Sequence, residues 1–126
     1  MPAGGYRAGI AWQLTIRTGP RVERRRFDAL GDAVDALEQE CRAAATTTRR
    51  GPARGIARDY APADQVAVRA ELAGPGRARA GVDVRGDGSA VAYTGRIRRS
   101  PLEPRGGESP YAALRRALSG STSVDP

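Results

Sequence analysis

Arginine side chains recur at alternate positions on both sides of a short turn in the second half of the chain. Arg77 and Arg79 precede the turn at Asp87-Gly88, and Arg96 and Arg98 follow it. Alternate residues of a β-strand project from the same face, so each pair presents its guanidinium groups on one surface. Guanidinium groups bind phosphates and carboxylates through paired hydrogen bonds. These residues therefore indicate anion binding rather than the making or breaking of bonds.

The composition supports a basic protein with little catalytic equipment. The 126 residues carry 21 basic and 14 acidic side chains, which gives a net charge of +7 and favours an acidic partner. Every basic residue is arginine and lysine is absent, a bias typical of GC-rich coding, so the preference for arginine does not itself indicate phosphate recognition. The chain has no histidine and one cysteine, which excludes histidine-based catalysis, most zinc sites and an internal disulfide. We expect no enzyme activity, catalytic residue, metal or cofactor.

The chain has no apolar run long enough to span a bilayer and no signal-peptide core near its first residue. We therefore expect a cytoplasmic protein without a membrane partner. Nothing in the sequence indicates an oligomeric state.

The first half of the chain predicts a β-hairpin followed by a helix. Residues from Ile10 to Arg17 alternate in polarity, 18–21 form a turn, and 22–27 return as a second strand. Three successive arginines in the second strand place charge on both faces, which fits either a protected sheet edge or ligand binding.

Apolar residues then recur every three or four positions and predict a helix from about Ala29 to Ala45, with Asp28 as its N-cap. Cys41 lies on this apolar stripe, so we expect it to be packed in the core. The opposite face is acidic, and a solvated helix surface explains it better than a cation site or a general-acid pair. It comprises Asp28, Asp32, Asp35, Glu38 and Glu40.

The segment 65–99 predicts a three-stranded meander. Centring a two-residue turn on Asp87-Gly88 pairs Val82 with Tyr93 on the apolar face. The same register sets Arg79 opposite Arg96, and Arg77 opposite Arg98, on the polar face. A preceding turn at Gly74-Pro75-Gly76 pairs Leu72 with Ala78, with Gly76 at a positive φ. Like charges that face each other across a ladder are destabilising, and a bound anion relieves that repulsion.

These elements predict one α+β domain over 10–120: an antiparallel sheet of about five strands, in the order β-β-α-β-β-β-α, with two helices on one face. The second helix starts at Ser109-Pro110, where serine is a capping residue and proline suits the first turn, and it ends at Gly120. We expect 1–9 to be flexible and 121–126 to be disordered. The segment 46–63 predicts a long basic loop, which either orders on RNA or acts as a tether.

Part of the chain resembles the double-stranded-RNA-binding domain. The segment 71–77, ELAGPGR, is similar to the Gly-Pro loop of that family, 82–84 is similar to the strand that follows it, and 111–118 is similar to its alanine-rich second helix. The order of helix, three-stranded meander and helix also agrees, and ribosome hibernation factors share it. The resemblance implies that the 74–77 loop enters an RNA minor groove. Arg77 replaces the loop histidine of the family, and Ser109-Pro110 stands where the family has a lysine cluster.

The sequence therefore predicts a module that binds nucleic acid, with structured or ribosomal RNA favoured, through an arginine-rich sheet face. The alternative is a protein-interaction module that binds an acidic protein or self-associates through a sheet edge. The predicted site comprises Arg69, Arg77, Arg79, Arg96 and Arg98 on the sheet, Gly74, Pro75 and Gly76 in the turn, and Arg49, Arg50 and Arg54 in the long loop.

Overall fold

The computed structural model describes residues 11–50, 65–95 and 98–122, and this part of the chain contains one antiparallel sheet and two helices. The elements are β1 (Trp12–Thr18), β2 (Arg21–Phe27), α1 (Leu30–Arg50), β3 (Val66–Ala73), β4 (Arg79–Arg85), β5 (Ala90–Thr94), β6 (Ser100–Pro101) and α2 (Pro110–Thr122). The strand order is β2-β1-β3-β4-β5-β6. The predicted α+β class is confirmed. The sheet has six strands rather than about five, because the two residues of β6 are too few to produce an alternating pattern.

One face of the sheet packs against both helices and forms the core. The alternation of β1 places Trp12, Leu14 and Ile16 on this face, where all three are buried. Burial of this apolar surface is the main force that holds the helices on the sheet. The other core residues come from α1, α2 and strands β3 to β5, and include Val34, Leu37, Cys41, Val68, Leu72, Val82, Val84, Leu114 and Leu118.

Helix α1 has the predicted apolar stripe but is longer than predicted. The carbonyl of Ala29 accepts the first helical hydrogen bond from the Ala33 N–H, so the predicted cap residue Asp28 lies one position too early. At the other end, Thr46 and Thr47 donate their hydroxyls to carbonyls four residues back, at 3.1 Å. This side-chain bonding satisfies the hydroxyls within a helix. Helix α1 includes residues 46–50, so the predicted loop over 46–63 is wrong at its start. The remainder, 51–63, lies outside the described residues.

Helix α2 begins as predicted. The Ala112 N–H donates to Ser109 Oγ at 3.0 Å, which is the expected capping bond, and Pro110 is the first helical residue. The helix continues past Gly120 to Thr122, so the predicted end was two residues early, and 121–122 do not belong to a disordered tail. Glycine lowers helix stability by only about 1 kcal/mol relative to alanine, which does not stop a helix.

The β3–β4 hairpin is shifted by two residues from the predicted register. Leu72 pairs with Ala80 rather than Ala78, and Gly76 adopts a φ of 67°, as predicted for this turn. A shift of two residues leaves each side chain on its predicted face. The apolar residues of β3 and β4 therefore reach the core as expected.

The β4–β5 hairpin is shifted by one residue, which turns β5 over. The Gly88 N–H donates to the Arg85 carbonyl at 2.8 Å, and Gly88 has a φ of 90°. The loop thus has three residues, 86–88, instead of a two-residue turn centred on Asp87-Gly88. Val82 pairs with Ala92, and Tyr93 pairs with Gly81 on the opposite face. The predicted Val82–Tyr93 pair is therefore wrong.

Candidate nucleic-acid interface

The cross-strand pairs show which residues lie on the sheet face opposite both helices, the helix-free face. One row of paired residues crosses it through Arg24, Thr15, Glu71, Gly81 and Tyr93, from β2 to β5. The four neighbouring strands β2, β1, β3 and β4 span roughly 14 Å of surface, because adjacent strands lie about 4.8 Å apart. The rows on either side are Val22, Arg17, Arg69, Asp83 and Val91, and Arg26, Gln13, Ala73, Arg79 and Gly95.

The register that predicted two facing arginine pairs on this surface is wrong. The position across from Arg79 is occupied by Gly95, whose N–H donates to the Arg79 carbonyl at 3.0 Å. Arg77 is exposed in the turn before β4, and Arg98 is exposed before β6. Arg96 lies outside the described residues. The one-residue change in register moves every partner of β4 along by one position.

Arg69 lies on the helix-free face as predicted, but it has an acidic partner. Its Nε and Nη2 donate to the two carboxylate oxygens of Asp83 at 2.7 and 3.0 Å. The Asp83 side chain is only 15% exposed, and its hydrogen bonds raise the pKa of Arg69. The Nε and Nη2 donors of Arg69 are therefore occupied by Asp83 and are not free for a ligand. Arg69 therefore offers less to a ligand than the sequence indicated.

Three arginines on the helix-free face have no acidic partner within the described part of the chain: Arg17, Arg24 and Arg79. Arg17 and Arg24 are exposed, and Arg17 lies directly opposite Arg69 across β1 and β3. Arg79 is half-buried on β4. Like charges in direct opposition cost a few tenths to about 1 kcal/mol, and the Asp83 carboxylate offsets part of this cost for Arg17 and Arg69.

The predicted site does not include Arg17 and Arg24, although the sequence pattern of β1 indicates the face on which Arg17 lies. The alternation of β1 puts Arg17 on the same side as Gln13 and Thr15. What the sequence does not display is that β1 lies beside β3, far along the chain. That pairing brings Arg17 next to Arg69.

The predicted turn and residues 46–50, the described start of the predicted basic loop, lie at opposite ends of the sheet. The turn at 74–77 follows the end of β3, beside the start of β1, and the ring of Trp12 covers Gly74 so closely that a Cβ there overlaps it. Helix α1 starts near this end and runs away from it. Its last turns pack on Ile16, Thr18 and Val68 at the other end, around an open cavity of about 290 Å³.

Arg49 and Arg50 close α1, so the structure does not bring them together with Gly74, Pro75, Gly76 and Arg77. Arg54 lies outside the described residues. The predicted site is therefore not one continuous surface.

The acidic face of α1 is largely paired with arginines. Asp35 bonds to Arg115 of α2 at 2.8 Å, Glu38 to Arg42 at 2.7 Å, and Glu40 to Arg25 of β2 at 2.7 Å. The Asp35 and Glu40 ion pairs connect α1 to α2 and to β2, and the Glu38 ion pair lies within α1. The surface of α1 is thus less acidic than its sequence indicates, and the excess positive charge remains on the sheet.

Tyr93 lies on the helix-free face yet is only 4% exposed. Its ring crosses the backbone of Gly81, and the Arg99 guanidinium lies 5.3 Å from the ring centroid. Burial raises the pKa of the Tyr93 hydroxyl. Trp12 and Tyr111 are buried on the helix side. Within the described residues this face therefore presents no open aromatic ring on which a nucleobase stacks.

Cys41 packs in the core as predicted. It is fully buried, and burial raises the pKa of its thiol to about 12, so it is not a nucleophile at neutral pH. Among residues 11–50, 65–95 and 98–122, no group of three or more cysteine, aspartate or glutamate side chains is arranged to hold a metal ion. Neither helix of this part of the chain is both long enough and apolar enough to cross a membrane.

No family model, curated protein or solved structure matches the chain. The likeness to the double-stranded-RNA-binding domain therefore stays a prediction that depends on element order and on the Gly-Pro turn.

Proposed function

We propose that the protein is a non-enzymatic module that binds the phosphate backbone of structured RNA through its helix-free face. The single observation that supports this is the grouping on one sheet surface of Arg17, Arg24 and Arg79, which have no acidic partner among the described residues, around the paired Arg69. Phosphates that bridge these guanidinium groups relieve the repulsion between Arg17 and Arg69. The free energy of binding comes from charge neutralisation and counterion release.

The expected recognition is by charge and shape. A sheet face without an open aromatic ring lacks the stacking platform used by single-strand binders. Double-stranded RNA is recognised mainly through its phosphates, its 2′-hydroxyls and its A-form shape, and this agrees with the family resemblance. Little sequence preference follows, because phosphate contacts carry no base information.

A salt titration with a 20-base-pair RNA duplex tests the proposal. Three arginines, Arg17, Arg24 and Arg79, that each neutralise one phosphate give a slope of about −3 in a plot of log K against log salt concentration. Fluorescence anisotropy with a labelled duplex measures this, and a DNA duplex of the same sequence measures the preference for A-form geometry. A slope near zero contradicts the proposal.

Charge reversal locates the surface. We expect Arg17→Glu to weaken binding about tenfold at low salt and to make the slope shallower by about 1. Arg105→Glu is the matched control, because Arg105 is exposed in the loop before α2 and lies outside the helix-free face. Equal losses in the two variants mean that only the net charge matters, and they overturn the assignment of this face. Isolation of the protein with an acidic protein and no RNA favours a protein partner instead.

A further inference from the structure

Strand β2 forms one edge of the sheet and pairs only with β1 among the described residues. All seven of its residues follow a regular antiparallel register with β1, without a bulge. The opposite edge, β6, has two residues and includes a proline. A long, regular edge strand presents a row of main-chain donors and acceptors to any extended chain that lies beside it. The open edge of β2 is therefore the better template for another strand.

Side-chain contacts hold β2 in place. The Arg25 guanidinium contacts Glu40 of α1 at 2.7 Å and Glu23 at 2.9 Å. Phe27 is partly buried against the core. A strand fixed in this way loses little conformational entropy when a partner binds, which favours binding.

The remaining side chains of β2 define the partner. Arg21 and Arg24 are exposed and have no acidic partner within the described residues, and Val22 is 42% exposed. Residues directly opposite each other on neighbouring strands have Cβ atoms about 5 Å apart. An added strand with carboxylates opposite these arginines forms cross-strand ion pairs.

We propose that the open edge of β2 binds an acidic polypeptide segment in extended conformation, which adds to the sheet as a seventh strand. Main-chain hydrogen bonds to β2 supply affinity, and Arg21 and Arg24 select for carboxylates opposite them, three positions apart in the segment. This surface and its partner are distinct from the RNA surface proposed above, although Arg24 contributes to both.

A second copy of the chain is a poor occupant of this edge. The strand reads RVERRRF, with four arginines and one glutamate. In each antiparallel register that overlaps five or more residues of two β2 strands, at least one arginine faces an arginine. Like charges in direct opposition are destabilising, so the strand repels itself while it attracts an acidic chain.

A labelled ten-residue peptide of glutamate and threonine, with glutamate at every third position so that two carboxylates lie opposite Arg21 and Arg24, tests the proposal against the intact protein. We expect saturable binding by anisotropy, together with slower hydrogen exchange of amides within Arg21–Phe27. The control peptide carries N-methyl groups on two successive central residues, which block both of its edges and leave its charge unchanged. We expect it to bind at least about tenfold more weakly, because strand addition requires those main-chain groups. Equal binding of the two peptides overturns the proposal.

Variants separate this edge from the RNA surface. We expect Arg24→Glu to weaken peptide binding roughly five- to tenfold, whereas Arg79→Glu, three strands away from β2 in the sheet order, affects RNA binding and leaves peptide binding unchanged. Loss of RNA binding alone therefore leaves this inference intact. If a ten-nucleotide oligouridylate protects the β2 amides and the peptide does not, the edge belongs to the nucleic-acid surface and the inference fails. Dimerisation through β2 in sedimentation also overturns it.

Discussion

The atoms around Gly81 on β4 leave no room for a side chain at this position. A Cβ placed there lies 2.6 Å from the Tyr93 hydroxyl oxygen and overlaps the Ala70 carbonyl oxygen. The Ala70 carbonyl belongs to the backbone of β3 and cannot move aside as a flexible side chain does. Glycine within a strand often marks such a close approach, so the sequence carried this signal, but it does not say which ring lies over the glycine.

We expect Gly81→Ala to lower the free energy of unfolding by about 1–3 kcal/mol, as overpacking does elsewhere. Chemical denaturation followed by far-ultraviolet circular dichroism measures the change. Gly106→Ala is the control, because a Cβ at Gly106 has no atom within 4 Å. Equal stability of the two variants contradicts the placement of Tyr93 across β4, and with it the register of β5.

At the scale of the element, patterns within one strand or helix predicted the fold well. The alternation of β1, the apolar stripe of α1 and the Ser109-Pro110 start of α2 all appear in the structure. The length of the β4–β5 loop did not follow from such patterns. Either face of β5 is apolar enough to pack against the core: Ala90, Ala92 and Thr94 lie on one face, and Val91 and Tyr93 lie on the other. Two registers therefore fit the hydrophobicity of β5, and hydrogen bonds at Arg85 and Gly88 decide between them.

The start of α2 also depends on an ion pair that the sequence does not display. The Glu108 carboxylate accepts hydrogen bonds from Arg116 at 2.8 and 2.9 Å and from the Arg105 N–H at 2.8 Å. These contacts, Arg116 first, lower the pKa of Glu108 from 4.5 to about 2. A carboxyl whose pKa is lower in the folded state stabilises the fold above its unfolded pKa. That contribution is lost as the pH falls from about 4.5 to about 2.

Glu108→Gln removes this dependence. We expect the variant to be less stable than the parent at pH 6, and we expect the difference to shrink steadily between pH 4.5 and pH 2. Urea denaturation at several pH values measures it. Glu103→Gln is the control, because Glu103 is exposed and its carboxylate has no ion pair within the described residues. A pH-independent difference for Glu108→Gln means that the ion pair with Arg116 does not form.

At the scale of the whole molecule, strand order decides which charges share a surface. Strand β1 lies between β2 and β3, so Arg17 and Arg24 join Arg69 on the helix-free face. Local patterns carry no information about a pairing between Arg17 and Arg69, which are 52 positions apart. The composition predicted that the chain is basic, but the fold determines that α1 pairs its carboxylates with arginines and the sheet keeps the excess charge.

Asp83 restrains this surface by occupying Arg69, so its removal is expected to strengthen RNA binding. Asp83→Asn releases a guanidinium that faces Arg17, and we expect duplex RNA to bind roughly three- to tenfold more tightly. One more phosphate contact makes the salt slope steeper by about 0.9. Because the Asp83 side chain is only 15% exposed, loss of its charge-assisted hydrogen bonds lowers the free energy of unfolding by about 1–3 kcal/mol, and far-ultraviolet circular dichroism checks that the variant remains folded.

Glu71→Gln is the matched control for this experiment. It changes the net charge by the same amount on the same face, but Glu71 faces Gly81 and makes no ion pair within the described residues. We expect it to strengthen binding less than Asp83→Asn and to leave the salt slope unchanged, because no guanidinium is released. Anisotropy titrations at three or more salt concentrations distinguish the two variants. Equal gains in affinity and equal slopes show that the protein responds only to total charge, and they contradict a phosphate position between Arg17 and Arg69.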